Sequence, residues 1–297
     1  MTSGILAELV EPFDRMPDAS AAELLRARWG FEPRALERLA TERDDTFRFD
    51  VDGSGFVLKV AHPGDDPAVI DLQVAALVHA AAVDPGLPLQ RVVAASDGAS
   101  SVSAGGRVAR VFEWMPETLA TGSVPTHRQL RAMGRMLGRL SLALRDFEHG
   151  ASGRELAWDL QRLPALRDLA VDKPAILEIV DRFEAEVLPV LEQMPQQVLH
   201  NDFHPGNLLV DASSDAYVTG ILDFGDVVRT ARVADLGVAL AYLPMGSSPS
   251  ENALPFLDGF ESVVPLLPEE RAVLPQLVAA RLVQRKLLNE LLDATGS

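Results

Sequence analysis

Hydrophobic positions alternate with polar ones through the first third of the chain and recur every three or four residues beyond it. Phe47, Phe49 and Val51 alternate along residues 46–51, the period of a half-buried strand. Asp52-Gly53 supplies a hairpin turn, and residues 56–60 form the partner strand. On that second strand Phe56, Leu58 and Val60 share one face, while Val57 and Lys59 share the other. Three more strands are expected at 91–95, 100–104 and 107–112, with hairpin signals at Asp97-Gly98 and Gly105-Gly106. The pattern also predicts a short helix over 20–29, capped by Ser20, stopped by Gly30 and packed on this region. A second helix is expected over 67–83, with Pro67 in its first turn and Ile70, Val74, Leu77 and Val78 as its apolar stripe. Residues 46–112 therefore read as a five-stranded antiparallel sheet with one helix inserted. Glu113-Trp114-Met115-Pro116 ends the last strand and divides a first lobe, 1–113, from a second, 114–297.

The second lobe is helical. Leu130, Met133, Leu137, Leu140, Leu144 and Phe147 mark an amphipathic helix whose basic face (Arg128, Arg131, Arg135, Arg139, Arg145) is expected in solvent. Trp158-Asp159-Leu160 opens a short helical piece, and residues 175–191 form a helix that Pro189 bends or ends. Three further helices are expected over 234–243, 251–263 and 269–293. The fold class is α+β, a small antiparallel sheet lobe followed by a mainly helical one.

Between these helices lies a polar loop flanked by apolar runs. Val198 and Leu199 lead to His200, and Leu208-Leu209-Val210 opens the next strand. Turn residues 211–215 and a returning strand, 217–222, end at Asp223-Phe224-Gly225-Asp226. A hairpin of this shape brings Asp202, Asn207 and Asp223 together. Asp202 and Asn207 have the H-x-D-x-x-x-x-N spacing of a kinase catalytic loop. Phosphoryl transfer needs a carboxylate to accept or orient a hydroxyl proton, here Asp202, and hard oxygen ligands for Mg²⁺, here Asn207 and Asp223. Gly225 is expected to adopt a backbone conformation closed to other residues beside the metal ligand. With that loop downstream, Lys59 is expected to hold the α- and β-phosphates of ATP, and Val57 to lie over the adenine. Phe112 closes the strand that presents the backbone of Glu113 and Met115 to the adenine edge.

Composition narrows the partners. A net charge of −16 disfavours a nucleic-acid surface and suits a cationic substrate. The absence of cysteine excludes disulfides and thiolate metal sites and makes the cytoplasm the default compartment. No apolar run approaches the roughly 20 residues that span a bilayer, and Met1 to Val10 lack the basic start of a signal peptide, so no membrane partner is expected.

The order of a small sheet lobe, a hinge and a helical lobe carrying His200-x-Asp202-x-x-x-x-Asn207 and Asp223-Phe224-Gly225 resembles the aminoglycoside phosphotransferase and choline kinase family. His204-Pro205-Gly206-Asn207 strengthens the resemblance beyond the bare kinase spacing. Asp235-Leu236-Gly237 stands where that family carries an Asp-Leu-Ala sequence. Glu42-Arg43-Asp44, residues 57–60, Trp158-Asp159-Leu160 and residues 221–226 look most like the hydroxylysine kinase branch. The resemblance implies a protein-kinase-like bilobal fold and an ATP- and Mg²⁺-dependent kinase of small molecules, with GTP open as the nucleotide. The helix glutamate that normally pairs with the lysine is replaced by Gln73, whose amide oxygen is expected to bond Lys59.

Three functions follow: a kinase of an amine-bearing metabolite, a phosphotransferase of aminoglycoside-type antibiotics, or a non-catalytic kinase-like module. The retention of Lys59, Asp202, Asn207 and Asp223 argues against the last. Candidates to hold a substrate amine are Asp226, Asp159 and Glu261, and those for a substrate carboxylate are Arg229, Arg232 and Arg281.

Overall fold

The computed structural model describes residues 5, 6, 11–41, 43–244 and 249–295; Glu42 and most of Met1 to Val10 lie outside them. Helix α1 (Asp18–Trp29) starts two residues before the expected cap, with no side-chain cap bond, and ends at Gly30 in the left-handed region (φ 68°). Strand β1 (Leu36–Leu39) precedes the expected hairpin of β2 (Asp45–Val51) and β3 (Ser54–Val60). The hairpin pairs Phe47 with Leu58 and Phe49 with Phe56 around a turn in which Asp52 and Gly53 both have positive φ. Phe47, Phe49, Leu58 and Val60 bury against Ala21, Leu25 and Trp29 of α1, which leaves Lys59 facing away from that core.

Helix α2 (Pro67–Val83) is capped by the Asp66 side chain. It buries Leu72, Gln73, Ala76 and Ala80 beside Ile70, Val74 and Leu77, whereas Val78, expected in the stripe, is exposed. Strands β4 (Val92–Val93) and β5 (Val102–Ala104) do not form the expected hairpin. Both pair antiparallel with β6 (Arg107–Glu113), end to end along one edge, while β3 takes its other edge. The Asp97-Gly98 turn closes on itself through Ala95 N–H to Ala99 O (2.8 Å), so the chain resumes its direction. With β1 the sheet has six strands rather than five.

After β7 (Thr118–Leu119), helix α3 (His127–Ala143) opens with a reciprocal capping box between Thr126 and Gln129. Its basic face is not simply solvated. Arg139 makes two bonds to Asp84 (both 2.8 Å), and Arg131 and Arg128 pair with Asp258 and Asp215. A 3₁₀ segment (Leu160–Ala170) is followed by α4 (Pro174–Arg182), a π turn (Phe183–Val187) and α5 (Leu188–Leu191). Pro189 has no N–H to give, and the turn before it widens so that Leu188 N–H reaches Phe183 O, five residues back.

Strand β8 (Gln196–Leu199) pairs not with its sequence neighbour but with β11 (Val228–Ala231), a strand with no expectation from the sequence. Between them β9 (Leu208–Val210) and β10 (Val218–Ile221) form the expected antiparallel pair. Helices α6 (Ala234–Ala241), α7 (Pro249–Glu261) and α8 (Pro268–Thr295) complete the larger core, to which α2 also contributes. Among the described residues no helix is long and apolar enough to cross a membrane.

Helices α3 and α7 cross at glycines. A Cβ on Gly134 would lie 1.9 Å from Phe256 O, and one on Gly259 would lie 2.0 Å from Arg131 O. Backbone cannot yield as a side-chain tip can, so Gly134→Ala forces the helices apart. The expected loss is about 2 kcal/mol or more of stability, against a helix-propensity gain of about 1 kcal/mol. Urea unfolding checks this, with Gly150→Ala, where a Cβ meets nothing within 4 Å, as the silent control.

Candidate active site

The loop of residues 200–207 is held from beneath by three buried groups. His200 is fully buried; its Nε2 lies 3.0 Å from Leu222 O, and its Nδ1 accepts the N–H of Asp202 (3.3 Å). Burial lowers its pKa, and the two contacts assign the neutral ring with the proton on Nε2. Asn201 adopts φ 63°, a left-handed conformation that asparagine tolerates, and its N–H donates to Asp235 Oδ1 (2.7 Å). Asp235 sits on α6, almost wholly buried, and its Oδ2 has no partner among the described residues. Burial pushes its carboxyl up to about 7. Next to it, Gly237 takes the place where the family's pattern has alanine. A Cβ there would lie 2.6 Å from Leu277 Cβ, so the glycine lets α8 approach.

On that support Asp202 points into the cleft with three partners. Oδ1 accepts from Arg281 Nη2 (3.0 Å), while Oδ2 accepts from Asn207 Nδ2 (2.6 Å) and lies 3.3 Å from His204 Nε2. Burial works to raise its pKa, but the His204 contact and the charge of Arg281 outweigh it and hold the carboxyl below its usual range. Such a weak base is better suited to orienting a hydroxyl than to removing its proton outright.

Leu222 N–H bonds Asn207 O (2.8 Å), so the end of the hairpin brings Asp223 to the same side as Asp202 and Asn207. Asp223, not Gly225, carries the left-handed backbone (φ 58°). Gly225 is needed for space instead, because a Cβ would stand 2.9 Å from Asp223 Oδ1, which accepts the Gly225 N–H (3.0 Å). Asp223 Oδ2 accepts from Lys59 Nζ at 3.1 Å across the cleft. The lysine charge, opposed by burial, lowers this carboxyl to about 2.

Gln73 does not bond Lys59. Its Nε2 donates to Gly225 O (3.2 Å), and its buried Oε1 has no partner among the described residues. Lys59, Gln73, Arg110, Phe112 and Asp223 line one cavity, with Val57 paired to Phe112 in the strand above it. Arg110, opposite Lys59 in the sheet and without a signal in the sequence, donates to Asp44 (3.0 Å) through Nη2, and its Nη1 has no partner among the described residues. At the hinge, Glu113 N–H is committed to Arg91 O (2.9 Å), and Glu113 O already accepts from Gln90 Nε2 (3.1 Å). The second lone pair of that carbonyl and the backbone of Met115 are what remain to bind an edge.

The donor set suits a hard divalent cation. With the Asn207 amide nitrogen committed to Asp202, its oxygen is the end left for a metal, and the Asp223 carboxylate is 46% exposed toward the cleft. Among the described residues no three His, Cys, Asp or Glu side chains gather into a cage. A Mg²⁺-type ion shared with nucleotide phosphates needs none.

The acceptor candidates fare unevenly. Asp226 is half-buried; burial first, then repulsion from Asp202, raises its carboxyl to about 7. Asp159 is buried and structural, accepting from Gln161 N–H and the Thr230 hydroxyl at the start of the 3₁₀ segment. Arg232 is committed to Glu270, Arg229 is exposed on β11, and Glu261 pairs with Arg271. Arg281 is spent on Asp202. His204 and Tyr242, stacked 4.6 Å apart, had no signal beyond the loop motif.

The family model described as the phosphotransferase enzyme family matches residues 35–284. Mouse (Mus musculus) hydroxylysine kinase is 27% identical over 302 residues, covering 90% of this chain and 80% of its own. In fold the chain is similar to an amicoumacin kinase solved with AMP-PNP, Ca²⁺ and Ami (TM-score 0.76, 16% identity, 92% of this chain and 86% of that one). It is also similar to a microcompartment-associated aminopropanol kinase (TM-score 0.73, 19% identity, 94% of each chain).

Asp235 yields a pH prediction. Its folded pKa, about 7, lies above the ordinary 3.8, so between roughly pH 4 and 7 the folded state keeps a proton that the unfolded state has lost. Stability therefore falls as pH rises through that window. Asp235→Asn removes this contribution, and urea unfolding at pH 5 and pH 8 should show a smaller decline for the variant than for the natural protein.

Proposed function

This chain belongs to the phosphotransferase enzyme family, and we propose that it transfers the γ-phosphoryl group of ATP, with Mg²⁺, to a hydroxyl of a small amine-bearing metabolite. The acceptor is a hydroxylated amino acid or an amino alcohol. The observation that carries this reading is the grouping of Asp202, Asn207 and Asp223 at one end of a hairpin, with Lys59 3.1 Å from Asp223.

In this reading the residues of 1–113 hold the nucleotide and those of 114–297 hold the catalytic groups and the acceptor. Lys59 leaves Asp223 for the α- and β-phosphates, and Phe112 and Val57 enclose the adenine. The Glu113 carbonyl and Met115 N–H meet its edge. Asn207 and Asp223 would hold the metal, which neutralises phosphate charge when bound. Asp202, fixed by Asn207 and Arg281, orients the acceptor hydroxyl for in-line attack, and Asp226 faces the ammonium group. With no helix among the described residues long and apolar enough to cross a membrane, and no cysteine in the chain, we propose the cytoplasm as its compartment.

An antibiotic acceptor finds support in the net charge of −16 and in the fold of the amicoumacin kinase. Against it, arginines 281 and 285 lie beside the catalytic loop, where a polycation would meet repulsion. The likeness to hydroxylysine kinase favours the metabolite.

A panel of hydroxylysine, homoserine, choline, ethanolamine and aminoglycosides, assayed with ATP and GTP by nucleoside diphosphate release, tests this. A hydroxy amino acid or amino alcohol should turn over with ATP, and Asp202→Asn should lower kcat about 10²-fold or more. Turnover of kanamycin-like acceptors alone would reject the substrate class, and near-natural turnover by Asp202→Asn would reject the role of Asp202.

A further inference from the structure

The arginines around the catalytic loop are nearly all committed. Arg281, 1% exposed, gives Nη2 to Asp202 and Nη1 to Trp158 O (2.9 Å) and Gln284 Oε1 (3.1 Å). Arg154 gives Nη2 to Gly225 O (2.5 Å), and Arg232 is held by Glu270. Arg285 differs. It lies half-buried one turn beyond Arg281 on α8, with its guanidinium 4.9 Å above the ring of Tyr242. No carboxylate or carbonyl among the described residues accepts from it.

Tyr242 links that cation to the chemistry. Its ring stacks on His204 at 4.6 Å and 23°, and His204 Nε2 lies 3.3 Å from Asp202 Oδ2. Arg281, whose guanidinium also approaches the Tyr242 ring (5.8 Å), touches Asp202 directly. Four residues of helix separate Arg281 from Arg285, a rise of about 6 Å. A hydroxy amino acid with four or five bonds from its hydroxyl oxygen to its carboxylate carbon, each about 1.5 Å, is of comparable length. The ring contact holds the guanidinium but satisfies none of its N–H donors, which form a fork matched to a carboxylate.

We propose that Arg285, steadied by Tyr242, is the anchor for a carboxylate on the acceptor. The inference rests on the amine-bearing metabolite reading and narrows it: the acceptor is an amino acid rather than an amino alcohol. Its hydroxyl meets Asp202, its ammonium group Asp226 and its carboxylate Arg285. It also replaces Arg229 and Arg232, the arginines expected from the sequence, with one that stands beside the loop.

The test compares pairs of acceptors that differ only by the carboxylate: homoserine with 3-aminopropan-1-ol, and hydroxylysine with its decarboxylated amine. For the natural enzyme, kcat/KM should favour the amino acid of the pair that turns over by about 10²-fold or more, because a site built for a polar group rejects the analogue lacking it. Arg285→Gln should lower that ratio about 10²-fold, chiefly through the KM of the amino acid. Arg285→Lys, which keeps the charge without the fork, should recover part of it. Thermal unfolding of both variants identifies any general loss of structure. A natural enzyme that prefers the amino alcohol, or a ratio unchanged in a folded Arg285→Gln, overturns the anchor and leaves the kinase reading intact. Inertness of every pair while an antibiotic is phosphorylated overturns both.

Discussion

One ion pair, Lys59 to Asp223, joins the sheet to the end of the catalytic hairpin, and much of the cleft depends on it. Kinase-like sites commonly give the lysine a second carboxylate from the adjoining helix. Here that helix offers Gln73, which turns its amide nitrogen to Gly225 O instead. Asp223 is thus the one carboxylate bonded to Lys59 among the described residues. The pairing keeps Asp223 ionised down to about pH 2, so the carboxylate proposed to hold a cation already carries its charge. Under the proposed function, nucleotide loading would exchange partners: Lys59 would turn to phosphate and leave Asp223 free to hold a metal. Gln73 Oε1 and Arg110 Nη1, buried and without a partner among the described residues, belong to side chains lining the same cavity.

The other half of the site is built for rigidity. Asp202 would swing freely at the tip of a loop. Asn201 N–H on Asp235, His200 on Leu222 O and Arg281 on Asp202 Oδ1 each remove that freedom from a different side. Two of these supports come from α6 and α8, which is why the helical core matters to the chemistry. Left-handed backbone at Asn201 and Asp223, both residue types that tolerate it, marks where the loop turns most sharply.

What could be read from the sequence was whatever is local. The alternation of Phe47, Phe49 and Val51 around Asp52-Gly53 gave the hairpin and the orientation of Lys59. The spacing within residues 200–207 and the return at 217–223 gave the convergence of Asp202, Asn207 and Asp223. Contacts far apart in sequence carried no comparable signal. Arg281 meets Asp202 across 79 positions, and an arginine on an amphipathic helix looks the same whether it faces solvent or a catalytic carboxylate. Strand β11 is four residues with one exposed arginine, too short for a pattern. The end-to-end placement of β4 and β5 was hidden because a hairpin turn and a local loop share the same Asp-Gly signal. Gly225 was expected for the wrong reason: a glycine can mark close approach as well as positive φ, and only geometry separates the two.

On the proposed function, Asp223 would exchange Lys59 for a metal held with the nucleotide. Calorimetric titration with ATP, with and without Mg²⁺, measures this on the natural protein and on Asp223→Ala. Mg²⁺ should strengthen ATP binding to the natural protein, and the variant should lose that dependence. Identical pairs of isotherms for the two proteins would contradict the account.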